Sequence, residues 1–341
     1  MEFHSAIQTA FMNDRFFYHS FPRLRRGETP EQQVEKGLRI LALIGKTGLV
    51  LAPEIVVWKQ PTQDGNVRVL EQLQKRICFT ELSEADLPEH GRHFGRFAIE
   101  FDLAALRGLG AVPVSYIPQT IGELGASAVG ATLVAGLFDA RYTMDQLQVL
   151  RDTVMQLDTG RFQGMPVLPE CTLNLQNTDS SGAVVHSYTV PRPVLKNVLD
   201  YLGFQNAPFG LVRGALNAML SLFYPADDDV NDTILGYYRQ REWRIVSGIQ
   251  MGHVALSGKL TPQESREVSG IDHGFWDRTL SIRFPASHAR TFRRIDEAES
   301  VSKLGTRHVR ELIRSVIVPP SALDDPVLEI FRETSVSVRA L

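Results

Sequence analysis

Three residues at separate points of the chain have side chains that could together cleave a glycosidic bond. His19 lies in the aromatic segment 15–21, Thr80 in a CFTEL segment, and Glu242 in a REWR segment. A histidine can hold a ribose hydroxyl, a threonine can support a bound ring, and a glutamate can stabilise the cationic transition state. The alternative interpretation is structural, with His19 in the core and Glu242 in a salt bridge with Arg241 or Arg244.

The order of a histidine, a hydroxyl or aromatic residue and a late glutamate is the order seen in ADP-ribosyltransferases, which split the nicotinamide glycosidic bond of NAD. In this interpretation His19 positions the ribose, Thr80 supports the pocket and Glu242 stabilises the transition state. NAD is the predicted cofactor; an aromatic residue stacks on its nicotinamide and an arginine contacts a phosphate. The predicted substrate-contacting residues are Tyr18, Ser20, Phe79, His90, Arg241 and Arg244.

A metal site is a second interpretation of the histidines. His90 and His93 are three residues apart, with Glu89 beside them, and on a helix this spacing places both imidazoles on one face. Gly91 and Gly95 favour a loop instead, and no third ligand is evident. We therefore predict no metal site, and a His90 that contacts or positions a substrate.

Carboxylates on or near predicted strands suggest a third chemistry. Glu81, Glu100 and Asp102 could bind Mg²⁺ in a metal-dependent nuclease. Such a site would also require a nearby lysine, and the predicted strands that carry these residues contain none. The nuclease is therefore the second alternative, and solvated carboxylates at sheet edges are the structural explanation.

The segment 237–245, YYRQREWRI, predicts the strand that positions Glu242. Aromatic residues are frequent in it, and neither Gly nor Pro interrupts it. Because side chains alternate along a strand, Glu242 shares a face with Arg244, while Arg241 and Trp243 point the other way. A guanidinium beside a carboxylate keeps it ionised, which suits a catalytic glutamate and a buried ion pair equally well.

The pattern of the rest of the chain predicts an α+β fold with a mixed β-sheet core. A helix begins after Thr29, which suits an N-cap, with Pro30 at the first helical position. Further helices are predicted at 290–299 and 324–333. The other predicted strands are 15–21, 77–82, 97–102, 112–118, 280–284 and 308–318.

The middle of the chain predicts a mostly helical insertion. From residue 119 the sequence is first rich in small residues and then shows helical periodicity, which predicts helices. Residues 158–185 are predicted to form a loop with an exposed excursion at 174–182. The core domain is therefore predicted over 1–118 and 233–341, and the insertion over 119–232.

The composition is that of an ordinary globular protein. Of 341 residues, 43% are apolar and 22% charged, and the net charge of −3 favours neither nucleic acid nor membrane in general. Cys78 and Cys171 match no zinc or disulfide pattern, which predicts reduced thiols and a cytoplasmic protein. The N-terminal residues lack a secretory signal. The longest weakly polar stretch, 125–138, is shorter than the ~20 residues of a membrane span, so we expect no membrane association.

Several segments, taken in order, resemble the AbiGi-type abortive-infection (phage resistance) proteins of bacteria and related families. The segments that carry the resemblance are CFTEL at 78–82, His90, FGRFAIEFD at 94–102 and REWR at 241–244. The resemblance covers residues 15–118 and 236–320 and leaves out the insertion. One departure is Phe94, where the family usually has a tyrosine.

The resemblance implies a role in anti-phage defence, as the antitoxin-labelled half of a two-gene toxin–antitoxin module. Combined with the proposed catalytic residues, it predicts an ADP-ribosyltransferase-like or NAD-using effector that acts on a protein or nucleic-acid target. The alternative is a non-enzymatic antitoxin or sensor subunit. In that case Glu242 only forms an ion pair, and the insertion, with its loop around Leu175, binds the partner protein.

Overall fold

The protein, described by a computed structural model, is an α+β protein with a mixed multi-strand sheet and several helices. The described residues are 15–23, 25, 27–62, 66–117, 127–159, 172–179, 181–201, 209–225, 241–248, 250–251, 254–283, 289–334 and 336–341. The predicted strand residues 237–240, and Cys171, lie outside this part of the chain. Among the helices of the described part, none is both long and apolar enough to cross a membrane.

The strands range from two to seventeen residues. They are β1 (Arg15–Phe21), β2 (Leu49–Pro61), β3 (Val67–Ser83), β4 (Phe97–Phe101), β5 (Val112–Pro113), β6 (Ser115–Ile117), β7 (Thr172–Thr178), β8 (Val184–Pro191), β9 (Phe223–Pro225), β10 (Glu242–Val246), β11 (Gln250–Met251), β12 (Val254–Ala255), β13 (Gly258–Lys259), β14 (Thr279–Ile282), β15 (Arg290–Arg293), β16 (Glu299–Val301), β17 (Lys303–Leu304), β18 (Arg307–His308), β19 (Ser315–Val318) and β20 (Ser337–Ala340).

The α-helices are mostly short. They are α1 (Pro30–Thr47), α2 (Leu87–Phe94), α3 (Leu103–Gly108), α4 (Ser127–Thr159), α5 (Arg192–Tyr201), α6 (Phe209–Leu222), α7 (Pro262–Ile271), α8 (His273–Trp276) and α9 (Glu329–Arg332). Single 3₁₀ turns lie at Glu84–Asp86, Arg294–Glu297, Val309–Leu312, Pro320–Ala322 and Pro326–Leu328.

The main sheet has the order β13–β16–β2–β3–β1–β4–β19–β20, and β10 pairs with β3 and β5 with β10. Its strand pairs are antiparallel except for β19 and β20, which are parallel. Thr80 of β3 is the register partner of both Tyr18 in β1 and Glu242 in β10. The strands β1 and β10 therefore flank β3 on opposite sides.

One side of this sheet, here called the apolar face, carries the main hydrophobic core. Side chains alternate along a strand, so Phe17 of β1 and Phe79 of β3 both point to this face, where they are buried. The helix α1 packs on it so closely that a Cβ on Gly37 would lie 2.3 Å from the Phe97 ring. This helix begins as predicted, because Thr29 forms a capping box before Pro30.

The chain forms two compact units, one of residues 1–136 and 217–341 and the other of residues 137–216. The second unit is shorter than the predicted insertion of 119–232. It contains most of α4, all of α5 and the hairpin of β7 and β8.

Within the loop predicted at 158–185, residues 158 and 159 end α4, the described residues from 172 onward form this hairpin, and residues 160–171 lie outside the described part. The turn of the hairpin is set by Asp179, whose Oδ1 accepts hydrogen bonds from the backbone N–H groups of Ser181 and Ala183. Gly182 has a φ of 84°, which glycine adopts without steric cost. The predicted excursion 174–182 thus comprises part of β7 and the turn, because the turn residues, not the polar strand residues, decide the local structure.

Three other local predictions are wrong. The strand predicted at 308–318 contains a 3₁₀ turn at Val309–Leu312, and only its end forms β19 (Ser315–Val318). Residues 290–299, predicted as a helix, form β15, a 3₁₀ turn and the start of β16, since β15 pairs with β14 along its whole length. Residues 84–90, predicted as a loop or helical turn, form a 3₁₀ turn and the start of helix α2, so the loop that Gly91 and Gly95 favoured is not formed. The helix ends at Phe94, and its C-cap Gly95 has a φ of 118°. Gly91 is tolerated inside this helix, and Gly95 terminates it.

Candidate functional site

The three strands predicted to carry the catalytic residues are neighbours in the sheet. Glu242 of β10 is paired with Thr80 of β3, and Thr80 is paired with Tyr18 of β1. Register partners in a sheet point to the same side. Side chains from residues more than 220 positions apart in the sequence therefore share one face.

This second face, here called the polar face, is defined by Ser20, Cys78, Thr80, Glu242 and Arg244. Ser20 lies two residues after Tyr18, and Cys78 is the register partner of Arg244. Five predicted site residues are therefore brought to one face by strand alternation alone. These are Tyr18, Ser20, Thr80, Glu242 and Arg244.

His19 does not join them. Its neighbours in β1 alternate to the polar face, so its ring lies on the apolar face, 5.6 Å from the Phe21 ring and 5.8 Å from the Phe79 ring. Its Nδ1–H donates a hydrogen bond of 2.8 Å to the Cys78 carbonyl. Burial lowers the pKa of His19 to about 4, so the ring is neutral in the core. The geometry does not support the predicted role of His19 in positioning a ribose beside Glu242.

The histidine on the polar face is His90. In α2, the Nδ1 atom of His90 lies 3.1 Å from Ser20 Oγ, and its Nε2 atom lies 3.2 Å from Thr80 Oγ1. It stacks on Phe94 with ring centroids 4.4 Å apart. Burial is the main cause that lowers the pKa of His90 to about 4, and the neighbouring His19 and His93 oppose its protonation further. A neutral imidazole has one donor and one acceptor nitrogen, so one hydroxyl donates to the ring and the other accepts from it.

Glu242 is held by three donors. Oε1 accepts a hydrogen bond of 2.8 Å from Arg244 Nε, Oε2 accepts one from the Tyr116 hydroxyl, and the Cys78 thiol also bonds the carboxylate. Burial would raise the pKa of Glu242, but the charge and hydrogen bond of Arg244 lower it below its ordinary value. Glu242 is therefore an ionised carboxylate in a largely buried position.

Tyr116 and Cys78 remain protonated in this arrangement. Burial and the neighbouring Glu242 charge raise the pKa of Tyr116 well above its ordinary value. The same two causes raise the pKa of the Cys78 thiol to about 11. Both groups therefore act as neutral hydrogen-bond donors to Glu242, and Cys78 is not a reactive thiolate.

Arg244 is 1% exposed and lies against an aromatic ring. Its guanidinium carbon is 4.7 Å from the Tyr224 ring centroid, and that of Arg76 is 4.9 Å from the same centroid. Arg76 also bonds Glu54 and Gln74. The Nη1 of Arg244 has no hydrogen-bond partner among the described residues. Arg244, predicted to contact a phosphate, is instead a buried partner of Glu242 and Tyr224.

Arg241 directly precedes β10 and is exposed. It pairs with Glu81 at 2.9 Å, and the Glu81 N–H donates to the Arg241 carbonyl. Its φ is 41°, the left-handed region, in which no other non-glycine residue of the described part lies. This conformation costs about 1–2 kcal/mol for a residue with a Cβ, and such strain is concentrated at functional sites.

An open cleft of about 590 Å³ lies at this end of β10. It is lined by Glu81, Pro113, Val114, Ser115, Tyr116, Arg241, Glu242 and Trp243. The volume lies within the range of small-molecule sites, roughly 300–1,000 Å³. The lining combines aromatic surface, an ionised carboxylate and an exposed guanidinium, which suits a ligand with a ring, hydroxyls and an anionic group.

The carboxylates considered for Mg²⁺ are engaged separately. Glu100 is 2% exposed and pairs with Arg314 at 3.0 Å and Arg339 at 2.9 Å. Asp102 caps α3 by accepting from the Ala105 N–H. Within the described residues, no group of three or more His, Cys, Asp or Glu side chains could hold a metal ion.

Comparison with known proteins adds no assignment. No protein-family model, curated protein or solved structure matches the chain. A functional proposal therefore depends on the residues of the polar face and on the cleft beside Glu242.

The structure adds site residues that the sequence interpretation did not assign. Cys78 could have been found, because it is two positions before Thr80 and thus on the same face of a predicted strand. Tyr116 and Tyr224 could not, because they reach Glu242 and Arg244 from the strands β6 and β9, which lie outside the main sheet.

Proposed function

We propose that this chain is an ADP-ribosyltransferase-like or NAD-using effector whose catalytic centre is Glu242 on the polar face. One observation carries the proposal: an ionised carboxylate lies beside a cleft, and its cross-strand neighbour Thr80 is hydrogen-bonded to His90. The adjacency of β10, β3 and β1 in the sheet brings Glu242, Thr80 and Ser20 to one face and supports the proposal.

The proposed roles follow from the positions of the side chains. Glu242 stabilises positive charge on the ribosyl ring, because a preorganised carboxylate acts most strongly in a partly buried site. Thr80 supports the pocket, and His90 takes the positioning role predicted for His19. Arg241, exposed at the cleft, contacts a phosphate of the substrate.

The residues of the cleft fit the parts of NAD. Tyr116 provides aromatic surface for the nicotinamide ring, and Glu242 provides oxygens that accept hydrogen bonds from ribose hydroxyls. Arg241 provides a charged donor for the pyrophosphate.

The reaction breaks the bond between ribose C1′ and the nicotinamide nitrogen. Nicotinamide leaves as a neutral ring with the bonding electrons, and positive charge develops on the ribosyl group. An acceptor hydroxyl, from water or from a protein or nucleic-acid target, forms the new bond to C1′ and loses its proton to solvent. Glu242 acts on the charged state between these two events.

The decisive experiment is NAD turnover by the Glu242→Gln variant, with the rate divided by the folded fraction. Loss of one preorganised electrostatic group lowers kcat by about 10²–10³-fold. The matched control is Glu81→Gln, which makes the same charge change in the same cleft and should change kcat by less than about tenfold. Equal rates for wild type and the folded Glu242→Gln variant would rule out the catalytic role.

The defence role is proposed from the sequence resemblance. It predicts that expression in a bacterial host lowers the plating efficiency of a sensitive phage. A Glu242→Gln variant that is expressed and folded should restore plating. Unchanged protection by that variant would separate the defence role from the proposed chemistry.

Exposed apolar side chains on α5 favour a second candidate function, binding of a partner protein within a two-gene module. Val194, Val198 and Tyr201 follow helical spacing and are 50%, 47% and 90% exposed. In this function Glu242 is a structural ion-pair residue. Protection should then survive Glu242→Gln and be lost in the double variant Val194→Asp with Val198→Asp, the reverse of the enzymatic expectation.

A further inference from the structure

A second groove, of about 390 Å³, lies on the apolar face of the main sheet, between α1 and the ends of three strands. Phe21 at the end of β1 is the register partner of Phe97 at the start of β4, and β19, which also pairs with β4, ends directly before Pro319. We call this cavity the α1 groove. Its volume lies within the range of small-molecule sites, roughly 300–1,000 Å³.

The floor of the α1 groove is apolar and rigid. Phe97 is 1% exposed, and Val34 and Leu38 of α1 pack against the same core. Pro22 and Pro319, which are buried, also line the groove. Because proline has a fixed φ and no N–H group, these parts of the wall are preorganised and donate no backbone hydrogen bond. An apolar group can therefore be buried here at little cost in ordering the site.

The wall formed by α1 carries two carboxylates. Glu31, Val34, Glu35 and Leu38 follow the spacing i, i+3, i+4, i+7, so they form one stripe along the helix. The N–H of Glu31 and then the Thr29 hydroxyl bond the Glu31 carboxylate and lower its pKa. Like charges four residues apart destabilise a helix, so a cation bound beside both carboxylates would relieve their repulsion.

Two charged side chains of the groove have no ionic partner. Glu35 and Arg96 both line it, and neither forms an ion pair with the other or with any residue that the structure describes. Lys36 and Arg39, the basic residues nearest Glu35 in α1, are bonded instead to the segment 270–272. The groove therefore presents negative charge from α1 and positive charge from the start of β4, with an apolar floor.

We propose that the α1 groove binds a short peptide that has apolar side chains and free ends. The ammonium group of the peptide pairs with Glu31 and Glu35, its carboxylate pairs with Arg96, and an apolar side chain lies over Phe97. The two carboxylates of α1 would repel a nucleic-acid backbone or an anionic membrane. Because the groove is on the apolar face, this binding does not depend on the function proposed for Glu242.

Three peptides of the same shape test the two charged ends. Leucyl-leucine has both charges, N-acetyl-leucyl-leucine lacks the ammonium group, and leucyl-leucinamide lacks the carboxylate. NMR titration of the intact protein at about pH 7, where an α-amino group is charged, gives each Kd from the amide shifts of Gln33, Val34 and Arg96. We expect a Kd of about 0.1–1 mM for leucyl-leucine. Each of the other two peptides should bind about tenfold more weakly.

Charge variants assign each end of the peptide to its partner. The three side chains concerned are exposed, so their variants should fold as wild type does. The double variant Glu31→Gln with Glu35→Gln should bind leucyl-leucine and its acetylated form about equally, while it still prefers the free carboxylate to the amide. Arg96→Gln should show the reverse pattern. The control variants Glu89→Gln and Arg92→Gln, which change an exposed ion pair of α2, should leave all three Kd values as in wild type.

Three results would overturn the proposal. The first is that none of leucyl-leucine, prolyl-leucine and valyl-phenylalanine shifts the groove amides at about 10 mM. The second is an equal Kd for the three leucyl-leucine forms in wild type, which would show that the groove takes only an apolar group. The third is a preference for both charged ends that survives the charge variants, which would place the peptide elsewhere on the protein.

Discussion

Arg244 donates from its Nε to Oε1 of Glu242 at 2.8 Å, two residues along the same strand, and both side chains are largely buried. Removal of one partner from a buried pair leaves an uncompensated charge, which costs about 3–5 kcal/mol. We expect Glu242→Gln and Arg244→Gln each to lower the free energy of unfolding by about this amount. Urea denaturation of the two variants and the wild type measures it.

The double variant Glu242→Leu with Arg244→Met is the control for this prediction. It removes both charges and fills similar volume, so it should be more stable than either single variant, because buried pairs replaced by apolar residues are often neutral. Additive losses in the double variant would show that the two side chains are not energetically coupled.

The two partly buried histidines, His19 and His90, predict a pH dependence of stability. Burial lowers the pKa of His19 and of His90 to about 4 from the ordinary 6.5. Between these pH values the unfolded chain binds more protons than the folded chain, so the free energy of unfolding increases with pH there. The stabilising contribution of each neutral histidine should be fully present above about pH 6.5. The free energy of unfolding should then decrease by about 3 kcal/mol per histidine as the pH falls to 4.

Substitution of each histidine shows how much it contributes to the dependence of the unfolding free energy on pH. His19→Phe keeps an aromatic ring in the core and should make the curve of unfolding free energy against pH shallower by one histidine. The double variant with His90→Phe should make it shallower again. If neither change alters the slope in urea denaturation between pH 4 and 7.5, the two rings are not held neutral by the fold.

The left-handed backbone conformation of Arg241 predicts that glycine stabilises the protein more than alanine at this position, the reverse of their order inside a helix. At φ 41°, glycine avoids the steric cost of a Cβ, so Arg241→Gly should be about 1 kcal/mol more stable than Arg241→Ala. Both variants lose the Glu81 ion pair equally, so it cancels in the comparison. The matched control is Arg92 in α2, where alanine should be more stable by about 1 kcal/mol. Thermal or urea unfolding compares the four variants.

Chelation of divalent metals should leave the protein unchanged. Glu81, Glu100 and Asp102 are each engaged by a different arginine or by a helix N-terminus. We expect that EDTA, added in about fivefold excess over any divalent metal present, will change neither the unfolding midpoint nor the rate of NAD turnover. A nuclease activity that EDTA abolishes would instead support the metal-dependent alternative.

Local signals in the sequence were sufficient for several elements. Thr29 and Pro30 predicted the start of α1, and the aromatic alternation around His19 and Glu242 predicted strands β1 and β10. These signals depend on backbone preferences and on the two-residue period of a strand, which neighbouring residues specify. The α+β class with a mixed sheet followed from the same patterns.

Which histidine accompanies Glu242 was decided only by the register of β1. A shift of one residue moves every side chain to the other face, so Ser20 lies beside His90 while His19 enters the core. Alternation gave a local signal, because His19 shares a face with Phe17 and Phe21, but only the pairing of β1 with β3 and β4 places Ser20 beside His90.

The partners of Glu242 show the same division. Arg244 was predictable, because alternation within one strand places it beside the carboxylate. Tyr116 is 126 positions away and Tyr224 reaches the site through the pairing of β6 with β9. Contacts between segments so far apart arise from the packing of the whole chain, since the sequence around each tyrosine carries no signal of the surface it will meet.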